Sequence, residues 1–134
     1  HKYLIKMDRE KLLDLYKKYE LEKTDVYKHQ HYVIITRQGI EKIAAKENIA
    51  ISYEVVKCDP NFAVVKAYAK KEEVEIQTFG SALKGANYKD GNCNSWYVME
   101  MAEKRALSRS VLKLTGFYEL GVFGEDESDD FKRK

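Results

Sequence analysis

The sequence predicts an α+β fold: a helix, a three-stranded antiparallel β-meander, and a long helix packed across one face of the sheet. Three observations predict it. In the stretch from Trp96 to Phe117, Met99, Ala102, Ala106, Leu107, Ser110, Val111 and Leu114 gather on one arc at 100° per residue, the breadth of a core-facing helix. Three strand-like runs precede it with short turns between them: Ile51 to Lys57, Phe62 to Lys70, and Val74 to Ala82. In the middle run Ala63, Val65, Ala67 and Ala69 alternate with Phe62, Val64, Lys66, Tyr68 and Lys70, so one face is small and apolar while the other mixes cations with aromatics. That small face suits Ala102, Ala106 and Ser110, whose i, i+4, i+8 spacing lets another backbone come close.

The chain of 134 residues is long enough for a core of its own, and its 44% hydrophobic and 12% aromatic shares argue against disorder. It divides into an N-terminal helix and linker (1–31), an α+β core (32–118) and an acidic tail (119–134). Lys+Arg 24 against Asp+Glu 22 gives a net charge of +2, so a nucleic-acid partner requires a local basic patch. No apolar run reaches the length of a membrane span and no signal-peptide pattern opens the chain, which places it in the cytoplasm with no membrane partner. It begins at His1 instead of Met, as a trimmed piece would. Cys58 and Cys93 stand far apart without a C-x-x-C, so neither a zinc site nor a disulfide framework is expected, and no cofactor is implied.

In chain order, Asp8 caps a short amphipathic helix whose Leu12, Leu15, Tyr16 and Tyr19 form a docking face for the core or for a neighbouring subunit. The polar link Glu22–Tyr32 carries His29 and His31 at i, i+2, a metal pair lacking a third ligand. Tyr32 to Ile35 is β-rich. Thr36 then caps a second helix, Arg37 to Glu47, with Ile40, Ile43 and Ala44 inward and Asn48 as a left-handed stop. Asp59-Pro-Asn turns the first strand into the second, and Lys70-Lys-Glu-Glu the second into the third. A Gly- and Asn-rich loop carrying Lys84, Tyr88 and Lys89 leads to the long helix. There Arg105, Arg109 and Lys113 follow one i, i+4 row along the flank of the buried arc, with Lys104 and Ser108 on the other flank. The row is either a solvated face, helped by the Glu100–Lys104 pair, or a track for phosphates.

The run Ala102-Glu-Lys-Arg-Ala-Leu-Ser-Arg-Ser110 resembles the A-E-x-R-A-[IL]-[GS]-R-[AS] signature of bacteriophage single-strand annealing proteins, the Erf-like and Rad fifty-two-like group. The order of elements is similar over roughly Tyr32 to Phe131, and the match is tight only in the helix. The resemblance implies a β-β-β-α annealing core that binds single-stranded DNA and pairs complementary strands in recombination without ATP, in a bacterial host cell. It implies a non-enzymatic protein and a homo-oligomeric ring or filament. Arg105 and Arg109 match the signature arginines. Arg109 is expected to line the groove, while Arg105 serves the groove or the structure; Lys104, Lys113, Lys84, Arg37, Lys66 and Tyr68 complete the DNA-binding set. Arg37 stands in a first helical turn, where backbone amides favour anions.

The acidic run Gly124–Phe131 is a solvated end, a mimic that competes for the basic groove, or a docking peptide for a partner such as the host single-strand-binding protein. Three other readings stay open. A double-stranded RNA-binding module has the same helix, three strands, helix order, but its last helix opens with lysines, where this one opens Trp96-Tyr-Val-Met-Glu. A metal-dependent nuclease would use Asp59, Glu73 and Glu75 near strand ends, although Gln77 stands where its lysine is needed. A non-catalytic protein-interaction domain is the third.

Overall fold

In a computed structural model of the chain, which describes residues 2–87, 89–93 and 96–127 with side chains from residue 8, helices, strands and short 3-10 turns build an α+β fold with two three-stranded sheets. Helix α1, Lys2–Lys18, starts well before Asp8, which therefore sits inside it and caps nothing. Leu12, Leu15 and Tyr16 pack on the main apolar core, and Tyr19 follows the helix fully buried, its hydroxyl donating to Glu47 Oε1 at 2.5 Å. The docking face is used within the chain.

The polar link contains a strand. Strand β1, Val26–His29, forms a hairpin with β2, Tyr32–Ile35, closed by Gln30 and His31, with Gln30 at φ 58°. Asp25, just ahead of β1, is fully buried. Its Oδ2 accepts the Glu22 amide at 2.9 Å and Lys42 Nζ at 2.7 Å, so one carboxylate ties the hairpin to the next helix. That helix, α2, Arg37–Lys46, is capped by Thr36, whose Oγ1 accepts the Gly39 amide, and is followed by Asn48 at φ 52°.

Three ten-residue strands follow: β3, Ala50–Asp59, β4, Phe62–Lys71, and β5, Val74–Leu83, in an antiparallel sheet of order β3-β4-β5. Pro60 and Asn61 close the first turn, Glu72 and Glu73 the second, with Glu72 at φ 55°. Ala63, Val65, Ala67 and Ala69 are buried on one face, as period-two alternation requires. Helix α3, Val98–Leu114, is shorter at both ends than its apolar pattern and lies across β4 and β5 on that face. The approach is closest at Gly80: a Cβ there would overlap the carbonyl oxygen of Ala102 and stand 2.6 Å from the Ala106 amide nitrogen. Beside it Thr78 Oγ1 donates to Ala106 O at 3.0 Å and lies 2.6 Å from Ser110 Oγ. Small residues on both elements therefore let backbone meet backbone, and the two hydroxyls are satisfied in the seam.

Residues 119–127, the described part of the expected acidic tail, turn back onto the fold. After a 3-10 turn at Tyr118–Leu120, strand β6, Val122–Gly124, pairs in parallel with β2, so the expected boundaries at 31/32 and 118/119 cut through one sheet. A second 3-10 turn, Glu125–Glu127, follows. β6 covers the back of α3, where a Cβ at Gly124 would stand 2.7 Å from Ser108 Cβ. The long helix is thus held from two sides, which explains why Arg105, Ser108 and Leu112, outside the predicted arc, are buried.

Candidate nucleic-acid interface

The side of the β3–β4–β5 sheet away from α3 is the broadest surface on which cations and aromatic rings stand together. The register sets its pattern: Lys66 lies between Glu54 on β3 and Phe79 on β5, Tyr68 between Ser52 and Gln77, and Lys70 opposite Glu75. Lys66 Nζ sits 5.1 Å from the Tyr68 ring centroid and 5.7 Å from that of Phe79, within cation–π range of both. Tyr68 donates to Glu54 Oε1 at 2.6 Å, which fixes its ring. Phe79 is 49% exposed, so much of its ring stands in solvent on this face. Phe62 and Leu83 continue the apolar strip, and a hollow of about 270 Å³ among Ser52, Tyr68, Lys70 and Glu75 ends it.

Around the β5 edge the site continues to Arg109. Arg105 and Arg109, one helical turn apart on α3, donate to Ser81 O at 2.7 Å and Phe79 O at 3.0 Å, two residues apart on β5. The spacing fits because four helical residues rise about 6 Å and two strand residues about 6.7 Å. The two arginines nonetheless differ. Arg105 is 5% exposed and also donates to Asn92 O at 2.7 Å and, through Nε, to Asp126 O at 3.0 Å. Of the two roles open to it, groove or structure, its surroundings favour the second: a guanidinium enclosed among three main-chain carbonyls positions strand, loop and turn. Arg109 keeps about a third of its side chain in solvent, and its Nε donates to Glu127 Oε1 at 2.8 Å. Of the two, Arg109 alone keeps a guanidinium partly in solvent.

The remaining predicted residues do not converge. Lys84 is exposed just past the end of β5, its amide donating to Asn61 O. Lys104 is half-buried on the other flank of α3, and Lys113 lies 5.0 Å over the Tyr118 ring beside the smaller sheet. Arg37 pairs with Glu41 at 3.5 Å, and its amide donates to Glu125 Oε1 at 3.2 Å, so the anion at that helix start comes from the chain itself. Tyr88 and residues 128–134 lie outside the described residues. The carboxylates of the nuclease reading also part: Asp59 ends β3 near the first turn, while Glu73 and Glu75 lie at the other turn, across the length of β4. His31 stacks on Tyr32 at 4.4 Å, and among the described residues no three His, Cys, Asp or Glu side chains gather.

Phe79 is missing from the sequence-derived set, although its signal was there. Alternation in β5 places it beside Gln77 and Ser81, and the two-residue turn fixes it opposite Lys66. Glu127 had no such signal, because its contact with Arg109 depends on β6. Comparison of the chain with protein-family models, curated proteins and solved structures gives no match.

Proposed function

We propose that the protein binds single-stranded DNA across the open face of the β3–β4–β5 sheet and promotes annealing of complementary strands without nucleotide hydrolysis. The observation that carries this reading is Lys66 held between Tyr68 and the exposed Phe79 on an open sheet face. Binding of single strands without sequence preference combines stacking on aromatic rings, about 1–3 kcal/mol per base, with cations that follow the phosphates. Stacking uses the face of a base and leaves its Watson–Crick edge free, so a held strand can still be tested by a complement. Lys57, Lys66 and Lys70 share that face with Glu54, Asp59 and Glu75, a balanced set that favours loose, exchangeable binding over tight capture. The β-β-β-α annealing core, the recombination role and the bacterial host setting come from the resemblance of Ala102–Ser110 and belong to the same proposal. Arg109 then serves as the phosphate contact at the β5 edge and Arg105 as a positioning residue.

The test is fluorescence anisotropy with labelled single-stranded DNA, duplex DNA and duplex RNA, followed by strand annealing read by energy transfer between labelled complements. The expected result is preference for single strands, weakening with salt, with affinity and annealing both reduced about tenfold or more in K66A/F79A. Preference for duplex RNA would favour the double-stranded RNA module instead, whose order of elements α2-β3-β4-β5-α3 also satisfies.

A further inference from the structure

The two edges of the β3–β4–β5 sheet are unlike. On β5 the carbonyls of Ser81 and Phe79 are taken by Arg105 and Arg109, and the Leu83 amide donates to Asn92 Oδ1 at 2.7 Å. Along Phe79–Leu83 these groups are taken and not free to pair with another strand. β3 forms the opposite edge over ten residues, with Tyr53, Val55 and Val56 exposed at 39%, 58% and 51%. Because α3 lies over β4 and β5, the apolar side chains of β3 stand beside the helix instead of under it. An open edge flanked by β-branched side chains is a template for a further strand.

The residues of β3 indicate which strand fits. A bulge at Val56 places Glu54, opposite Lys66, and Lys57, opposite Val64, on the same face of the sheet although they are three residues apart. When two β3 strands meet antiparallel about a two-fold axis at this bulge, Glu54 of one copy faces Lys57 of the other, and the pair occurs twice. The valines meet at the axis, with Tyr53 opposite Cys58 on the helix side. Opposite charges directly across a strand pair favour that register, and the same strand supplies both signs.

We infer that two copies of the chain pair through β3 as a closed dimer, joining their sheets into one of six strands. The interface is isologous, each copy using the same residues, and it consumes the open edge, so assembly stops at two. A head-to-tail ring or filament would need the β5 edge that the arginines occupy. The joined sheet doubles the open face while leaving Lys66, Tyr68 and Phe79 uncovered. The inference depends on the two edges and not on what the face binds.

Sedimentation equilibrium of the whole chain from micromolar to hundreds of micromolar tests it. The wild type should pass from 15.6 kDa to twice that mass with rising concentration. E54K and K57E should each raise the dissociation constant about tenfold or more, and E54K/K57E should restore the dimer. Circular dichroism confirms that each variant is folded. A wild type that stays monomeric throughout would mean that the bulge protects the edge and would overturn the inference. So would growth beyond the dimer, or single swaps that dissociate no more readily than the wild type.

Discussion

Arg105 and Arg109 are identical in type, one turn apart, and yet opposite in fate. What separates them is the turn Glu125–Glu127, which offers a carbonyl to the first and a carboxylate to the second. Arg105→Ala would remove the 5% exposed guanidinium that three part-buried carbonyls share, so it should lower the melting temperature. Arg109→Ala should weaken single-strand binding and also lower the melting temperature, because it leaves the Glu127 carboxylate, 6% exposed, without its cation. Glu127 holds Arg109 where a phosphate would otherwise sit, so Glu127→Gln should tighten binding at low salt. It should also steepen the dependence of log K on log[salt] by about 0.7, the value of one more phosphate contact on a single strand. An unchanged slope in a folded Glu127→Gln variant would show that this carboxylate does not compete. Asp25 belongs to the same scale. Burial alone would raise its pKa, but the Glu22 amide and Lys42 prevail and hold it below the ordinary carboxylate value of 3.8. Glu47, whose largest influence is the Tyr19 hydroxyl, is likewise lowered from 4.5. A carboxylate depressed in the folded state stabilises fully above its unfolded pKa, and that contribution is lost as pH falls through its folded value. Thermal melts should therefore be flat near neutrality and fall below about pH 4, and Asp25→Asn should be less stable at pH 7 with a shallower acid limb.

At the scale of elements, the three long strands, both turns between them, the Thr36 cap and the interior of α3 were legible because each depends on local rules, while the cap assigned to Asp8 failed because α1 begins at Lys2. Alternation set the two faces of β4, Thr36 supplied a cap oxygen, and Ala102, Ala106 and Ser110 marked the seam that Gly80 completes. Pairing at long separation was not legible. β1 has only four residues inside a polar link, and β6 only three, in a segment whose acids read as a solvated end. Neither has enough residues for a periodic signal, and each exists because β2 lies between them with Ile34 and Ile35 fully buried. That omission left the two roles of Arg105 undecided, since the turn that encloses it is positioned by β6. Gly80 gives the element scale its prediction. Gly80→Ala drives a methyl into the backbone of α3, so it should destabilise by about 2 kcal/mol or more in denaturant unfolding, the range for overpacking a tight seam. A neutral Gly80→Ala would mean that α3 shifts off the sheet at little cost.

Over the whole molecule the chain builds one sheet for holding itself together and another for presenting a face. The β1–β2–β6 sheet unites α1, α2 and the end of the chain around a core of Tyr19, Ile35, Ile40, Val111, Leu112 and Phe117. The β3–β4–β5 sheet rests on α3 and leaves its other side open, where Lys66, Tyr68 and Phe79 meet. No helix among the described residues is long and apolar enough to cross a membrane. The central claim is that the open face carries the nucleic-acid strand, and a titration of amide resonances with a short oligothymidine tests it most directly. The account predicts shifts concentrated at Lys57, Lys66, Tyr68, Phe79 and the Arg109 side chain, with α1 and α2 silent. Shifts confined to the start of α3 and to α2, or none at saturating oligonucleotide, would contradict it.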